Sequence, residues 1–405
     1  MNKMNKIKNN KFLTFYFYLL AFTTIFYLTS LHLNLSNAMT EWLINYQGGF
    51  TRRGLSGEIL FQIADFFNLE FKKTILFVQC TAYCIFFYLT YLLIKELDGY
   101  HLIYLSIFSA IFLLFPLSEL EGMGRKEVLV SILLLIFVMK NNWSFTLKIF
   151  FLLFWSTFIL LIHEIIVFHI LYFVLFLFIS NKNNKFSHNL KIFLYFIVFM
   201  GASWLLFKNI YTTEMKNVMC KSLEETFQVG CGFQTHYVAN PIGRYMGEVP
   251  FPFWKMEYWL RNSSIFILGY GPLLILSLFS KFNKDNTNLI IQKIPIIILL
   301  VLLIIPNLFI FYISVDTGRY FHLSYSMVFI FFFGLKFNNL IVFDDEKLKI
   351  FEKKYFPNNK ILSCFVIFLI CFTWNPKAVY KEDLGSIPIY RIYERIDIYY
   401  NTLKW

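Results

Sequence analysis

The sequence predicts an all-α protein, a polytopic transmembrane helical bundle of about eleven spans forming one integral membrane domain over residues 1–405. Three observations carry this. Hydrophobic residues make up 58% of the chain and aromatic residues 21%, and the mean hydropathy is +0.58. Apolar runs long enough to cross the ~30 Å hydrocarbon layer recur along the whole length. The charged residues fall mainly between those runs. The net charge of +12 is therefore a property of inter-helix loops, and membrane topology accounts for it without a nucleic-acid partner.

The elements follow in order. A lysine-rich N-terminus (Lys3, Lys6, Lys8, Lys11) precedes a first span at about Phe12–Leu33, read as an uncleaved anchor because it is too long for a signal-peptide core. Residues 34–70 form an outer loop with an amphipathic re-entry. Span two is Ile75–Ile94, with Lys95–Gly99 turning inside. Span three is Leu102–Phe115, followed by the outer loop Pro116–Glu127, and span four is Val128–Met139. The inner loop Lys140–Lys148 leads to spans five and six within 149–180, with His163-Glu164 near their outer junction. After the inner loop Asn181–Lys191, span seven (Ile192–Phe207) opens into a long extracytoplasmic loop, 208–262. Spans eight (Ser264–Ser280), nine (Ile294–Ser314), ten (Tyr320–Leu335) and eleven (Ile361–Trp374) complete the bundle, with inner loops Lys281–Lys293 and Lys336–Lys360. The tail, 375–405, lies outside; its Ile389, Ile392, Tyr393, Ile396 and Tyr400 at helical spacing suit either an interfacial helix or a disordered end.

On this threading Arg52, Arg53, Arg125, Arg244, Arg261, Arg319, Arg391 and Arg395 all fall on the outer side, whereas the inner loops are basic through lysine. Insertion responds to Lys and Arg together, so it does not explain the segregation. Arginine is a planar, permanently charged fork that matches phosphate or carboxylate oxygens. Four motifs carry these arginines or their neighbours. Gly48-Gly49-Phe50-Thr51-Arg52-Arg53-Gly54 is a glycine-rich turn feeding a helix, a pattern that suits an anion nest or a tight turn with headgroup-binding arginines. Gly124-Arg125-Lys126-Glu127 repeats the pattern of glycine, a basic pair and a carboxylate at a helix start, with a solvated loop as the alternative. His163-Glu164 sits in an apolar run, where ionisable groups usually face the bundle interior, as a general base or a structural pair. Asp316-Thr317-Gly318-Arg319 is either a self-satisfied ion pair or a base with a phosphate clamp. Arg244 sits in the long loop ahead of an aromatic stretch.

Cys80, Cys84, Cys364 and Cys371 lie within spans as apolar filler. Cys220 and Cys231 share the long outer loop, in an oxidising compartment on this topology, and are expected to form a disulfide. No spacing suggests zinc.

In the order Gly-Gly-Phe-x-Arg-Arg-Gly-Leu-x-Gly, Gly-Arg-Lys-Glu, His-Glu and Asp-x-Gly-Arg, the chain resembles Wzy-type O-antigen or capsule repeat-unit polymerases, within the GT-C class of membrane glycosyltransferases. The resemblance implies a GT-C-like fold in the bacterial inner membrane; the charge pattern of the loops puts the N-terminus in the cytoplasm and the C-terminus in the periplasm. It implies transfer of a glycan from undecaprenyl diphosphate to another lipid-linked repeat unit, without metal or other cofactor. The implied partners are an undecaprenyl-diphosphate-linked oligosaccharide, the lipid bilayer and a chain-length regulator. The expected catalytic residues are Glu164, Asp316 and His163; the expected diphosphate and glycan contacts are Arg52, Arg53, Gly48, Gly49, Arg125, Arg244 and Arg319. Many GT-C enzymes carry an aspartate in the first outer loop, where this chain offers Glu41 and Glu58, with Asp65 in the re-entry. Amide replacement at Glu164 or Asp316 is expected to cost more than at Glu41. The alternatives are a GT-C transferase that adds one sugar from a polyprenyl-phosphate donor, a lipid-linked glycan flippase, and a structural scaffold.

Overall fold

The protein is described from a computed structural model, over residues 11–31, 37–97, 99–119, 122–140, 142–182, 186–208, 212–231, 256–288, 290–313, 317–357, 359–377 and 393. Arg244, Asp316, Arg391 and Arg395 lie outside the described residues. Among those described, the helices are α1 (Lys11–Leu31), α2 (Asn37–Trp42), α3 (Gly54–Phe66), α4 (Phe71–Ile94), α5 (His101–Ile107), α6 (Phe115–Ser118), α7 (Val128–Met139), α8 (Phe145–Ile162), α9 (Ile166–Ser180), α10 (Phe186–Lys208) and α11 (Thr213–Phe227). They continue with α12 (Met256–Leu278), α13 (Ile296–Ile313), α14 (Thr317–Phe337), α15 (Asp345–Tyr355) and α16 (Lys360–Phe372).

Among the described residues, five helices are long and apolar enough to cross a membrane: residues 11–30 of α1, then α4, α8, α10 and α14. Shorter apolar helices are α7, α9, residues 296–308 of α13 and 361–372 of α16. α10 exposes Phe193, Leu194, Ile197, Val198, Trp204 and Leu205, a surface suited to lipid rather than water. In contrast, α14 is buried along nearly its whole length, so it is the central element. One apolar core runs from Leu13 to Trp374.

Three expectations are corrected. Span three is not one continuous helix: α5 stops at Ile107, residues 109–114 form turns, and α6 resumes at Phe115. This break is buried, and bundle side chains take up the freed carbonyls. Tyr325 Oη donates to Ser106 O at 2.7 Å and His322 Nδ1 to Ile111 O at 3.0 Å. Buried irregular backbone is tolerated when its polar groups are paired in this way. The long loop 208–262 contains α11, and its last residues belong to α12, so Arg261 is helical and buried. Its guanidinium donates to Thr317 Oγ1 at 3.0 Å and Lys377 O at 3.1 Å, tying α12 to the start of α14. Finally, the chain is not purely helical: β1 (Ser280–Phe282) pairs antiparallel with β2 (Ile341–Phe343), Lys281 opposite Val342.

That strand pair joins the two loops expected inside. Nearby, Asn288 N donates to Ile179 O at 3.1 Å, Asn338 Nδ2 to Val138 O at 2.8 Å and Tyr100 Oη to Asp345 Oδ1 at 2.9 Å. The C-terminal ends of α7, α9 and α14 therefore meet at one end of the bundle. Their N-terminal ends meet at the other, and that is where the charged residues gather.

Candidate functional site

The first contributor is the segment between α2 and α3. Arg53 caps α3 in the left-handed region, φ 65° and ψ 5°, a conformation that costs a non-glycine residue ~1–3 kcal/mol and clusters at functional sites. The turn preceding it is seated against α11. A Cβ on Gly48 would overlap the carbonyl oxygen of Met215, so the residue permits close backbone approach. The close approach at Gly48 is therefore to α11. α11 is in turn fixed by a disulfide between Cys220 and Cys231, Cα atoms 5.3 Å apart, and by Phe227 stacked on Phe71 at 4.8 Å.

The second contributor is the turn before α7. Gly124 has φ 76°, and its carbonyl accepts from Trp42 Nε1 at 2.7 Å and Gln79 Nε2 at 2.8 Å. Pinned in this way, the turn carries Arg125, Lys126 and Glu127 into the protein, all buried. The segment is not a solvated outer loop. Lys126 Nζ donates to Arg53 O at 2.8 Å and lies 5.6 Å from the Trp42 ring centroid. His163 and Glu164 come from the α8–α9 junction, and Arg319 from the first turn of α14.

These side chains form one network. Arg53 donates Nε to Glu164 Oε2 at 2.7 Å and Nη2 to Oε1 at 2.6 Å, a bidentate grip, and Nη1 to Glu41 Oε1 at 3.3 Å. Arg52 Nη1 is 4.0 Å from Glu164. Glu41 is also 3.6 Å from Arg125 Nη1 and 3.2 Å from His163 Nε2. The same His163 nitrogen is 3.6 Å from Glu127 Oε1, which lies 3.5 Å from Arg319 Nε. The structure thus brings together Arg52, Arg53, Arg125, Arg319, His163 and Glu164. It adds Glu41, Lys126 and Glu127, which are not among the residues expected from the sequence to be catalytic or to contact the diphosphate. Their signal was position: Glu41 closes α2 just ahead of the glycine turn, and Lys126-Glu127 abut the start of α7.

Among the described residues, four arginines and Lys126 face three carboxylates, a formal surplus of two positive charges before His163 is counted. Four helices of at least twelve residues, α3, α7, α9 and α14, begin at the cluster, and helix N-termini add further positive potential. Burial pushes the Glu41 carboxyl up, but His163, Arg125 and Arg53 together hold it well below the usual carboxylate range. For Glu164, burial is likewise outweighed by Arg53, His163 and Arg52. A carboxylate so held is a poor proton acceptor, which counts against Glu164 as the base. Burial pushes the Lys126 ammonium down to about 7; a bound anion would favour its charged form.

Glu41, Glu127 and His163 present ligand atoms within 4.8 Å of one another, the spacing of a metal-ligand set. The surrounding guanidinium groups oppose a further cation there. No family model, curated protein or solved structure matches the chain.

Proposed function

We propose that the protein polymerises polyprenyl-diphosphate-linked oligosaccharide repeat units into a surface polysaccharide, working at the periplasmic face of the bacterial inner membrane. The observation that carries this reading is the cationic surplus, buried at Arg125, Lys126 and Arg319 and half-buried at Arg52 and Arg53, at one end of an apolar bundle, met by four helix starts. A diphosphate diester has two negative charges, which the surplus offsets. Its charge grows as the bond to the anomeric carbon breaks, where little water can screen it, and preorganised guanidinium groups are most effective under those conditions. Glu164 and Glu41 hold Arg53 in place for that task. A flippase fits less well, because transporters place their charge near mid-membrane and here it sits at one end.

Orientation follows from the same reading. The end built from β1, β2 and α15 faces the cytoplasm with the N-terminus, while α11 and the tail face the periplasm. Reporter fusions in α11 should be active only for a periplasmic enzyme; a cytoplasmic signal there would invert the map. The activity is tested by deleting the gene and sizing the surface glycan. The expected result is a collapse from long chains to single repeat units, restored by the intact gene. Unchanged chain length in the deletion strain rejects the polymerase reading.

A further inference from the structure

We infer that Glu127 is the catalytic residue on the acceptor side, receiving the proton of the attacking sugar hydroxyl; this rests on the polymerase reading. Of the three carboxylates in the cluster, Glu164 is gripped by Arg53 and Glu41 accepts from Arg53. Glu127 differs. It is 5% exposed, yet among the described residues neither of its oxygens has a hydrogen-bond partner. Its charge is countered at longer range by Arg319 Nε at 3.5 Å and His163 Nε2 at 3.6 Å. A carboxylate taken out of water without hydrogen bonds is costly, and such an orphan calls for a ligand or a chemical role.

The ligand it calls for is a donor. An anion would be repelled by Glu127 and is served by the arginines. Glu127 lines a narrow pocket between α4, α7 and α14, with Tyr83, Arg125, Ser131, Arg319 and His322. The pocket has room for a group about the size of one water or hydroxyl. A divalent cation could also satisfy Glu127, but Arg53, Arg125 and Arg319 all stand next to the Glu41–His163–Glu127 set, and each would repel it. A neutral hydroxyl meets no such opposition.

The resulting step balances. The acceptor hydroxyl oxygen attacks the anomeric carbon, the bond from that carbon to the diphosphate oxygen breaks, and its electron pair leaves with polyprenyl diphosphate. The proton passes to the Glu127 carboxylate. His163, in contact with both Glu127 and Glu41, holds the carboxylate in place. The donor anion and the acceptor hydroxyl are thus received by different side chains of one cluster.

The test uses the full-length protein in nanodiscs with a lipid-diphosphate-linked oligosaccharide. E127Q should lower polymer formation by about 10²–10⁴-fold, the usual scale for a general base. It should still be stabilised against heat by inorganic diphosphate, which shows that it is folded and that the anion side is intact. E127A should regain part of its activity when formate is added, since formate can stand in for the missing carboxylate. Wild-type polymer formation with E127Q equally active overturns the role of Glu127 alone. Loss of the diphosphate effect in E127Q makes Glu127 structural and also overturns it. Stabilisation of the wild type by Mn²⁺, absent in E127Q, assigns the residue to a cation instead. A wild-type protein that makes no polymer overturns the polymerase reading and this proposal with it.

Discussion

Glu41→Gln is expected to abolish polymer formation and to destabilise the protein by ~3 kcal/mol, the scale on which breaking one partner out of a buried ion pair acts. Glu41 is 1% exposed and touches Arg53, Arg125 and His163. The amide keeps the shape but removes the charge, so the cluster's surplus rises from two to three inside the protein. Arg53 then has only Glu164 to hold it. The effect has a pH signature. Glu41 is held below its unfolded value of about 4.3, so its stabilisation is complete above that value and is lost as pH falls through the lower folded one. Thermal unfolding in detergent should show the wild type weakening below pH ~4, with a smaller acid dependence in E41Q. An E41Q protein as stable and as active as the wild type would remove Glu41 from the site. The sequence instead leads to the expectation that Glu164 and Asp316 matter more than Glu41, and Asp316 lies outside the described residues. The weight on Glu41 is spatial: α2 turns back into the bundle and brings Glu41 between two arginines and His163.

The second large effect is at Arg53. Its three guanidinium nitrogens serve two carboxylates from different parts of the chain, Glu41 and Glu164. Lysine retains the charge but offers a single ammonium, which cannot hold both. Arg53→Lys should lower polymer formation ~100-fold, comparable to losing one preorganised donor at a developing charge, while the protein still inserts and keeps its Cys220–Cys231 bridge. Since Arg53 and Glu164 act as a unit, R53K combined with E164Q should be far less damaging than the sum of the two single changes. Strict additivity in that cycle would mean that the pair does not work together.

The bundle was legible in the sequence because apolar runs must match the bilayer, and α4, α7, α8, α9 and α14 begin and end within a few residues of the expected boundaries. The failures are where backbone leaves that rule. The break between Ile107 and Phe115 lies in an unbroken apolar run, and it depends on Tyr325 and His322, more than 200 residues away, to receive the carbonyls. The strands β1 and β2 are three residues each, too short for a periodic signal. At the site, the arginines were legible because their placement departs from what insertion requires. Their convergence was not, since Arg53, Glu127, Glu164 and Arg319 meet only through the packing of α3, α7, α9 and α14. Lys126 shows the limit most clearly: a lysine in a Gly-Arg-Lys-Glu run suggests a solvated loop, and the Gly124 turn pinned by Trp42 and Gln79 buries it instead. At Gly48 and Gly49 the close neighbour is Met215 of α11, a contact that no local sequence pattern announces.

The partly buried surplus of positive charge is expected to receive a dianionic lipid diphosphate. The direct measurement compares two ligands on the full-length protein in nanodiscs, at one fixed salt concentration: a polyprenyl-diphosphate-linked glycan and the corresponding polyprenyl-phosphate-linked sugar. The account predicts that the diphosphate binds at least ~10-fold more tightly, about 1.4 kcal/mol, and that R53K and R319K narrow the difference. Equal affinity for the two, tighter binding of the monophosphate, or binding that ignores both arginines would contradict it.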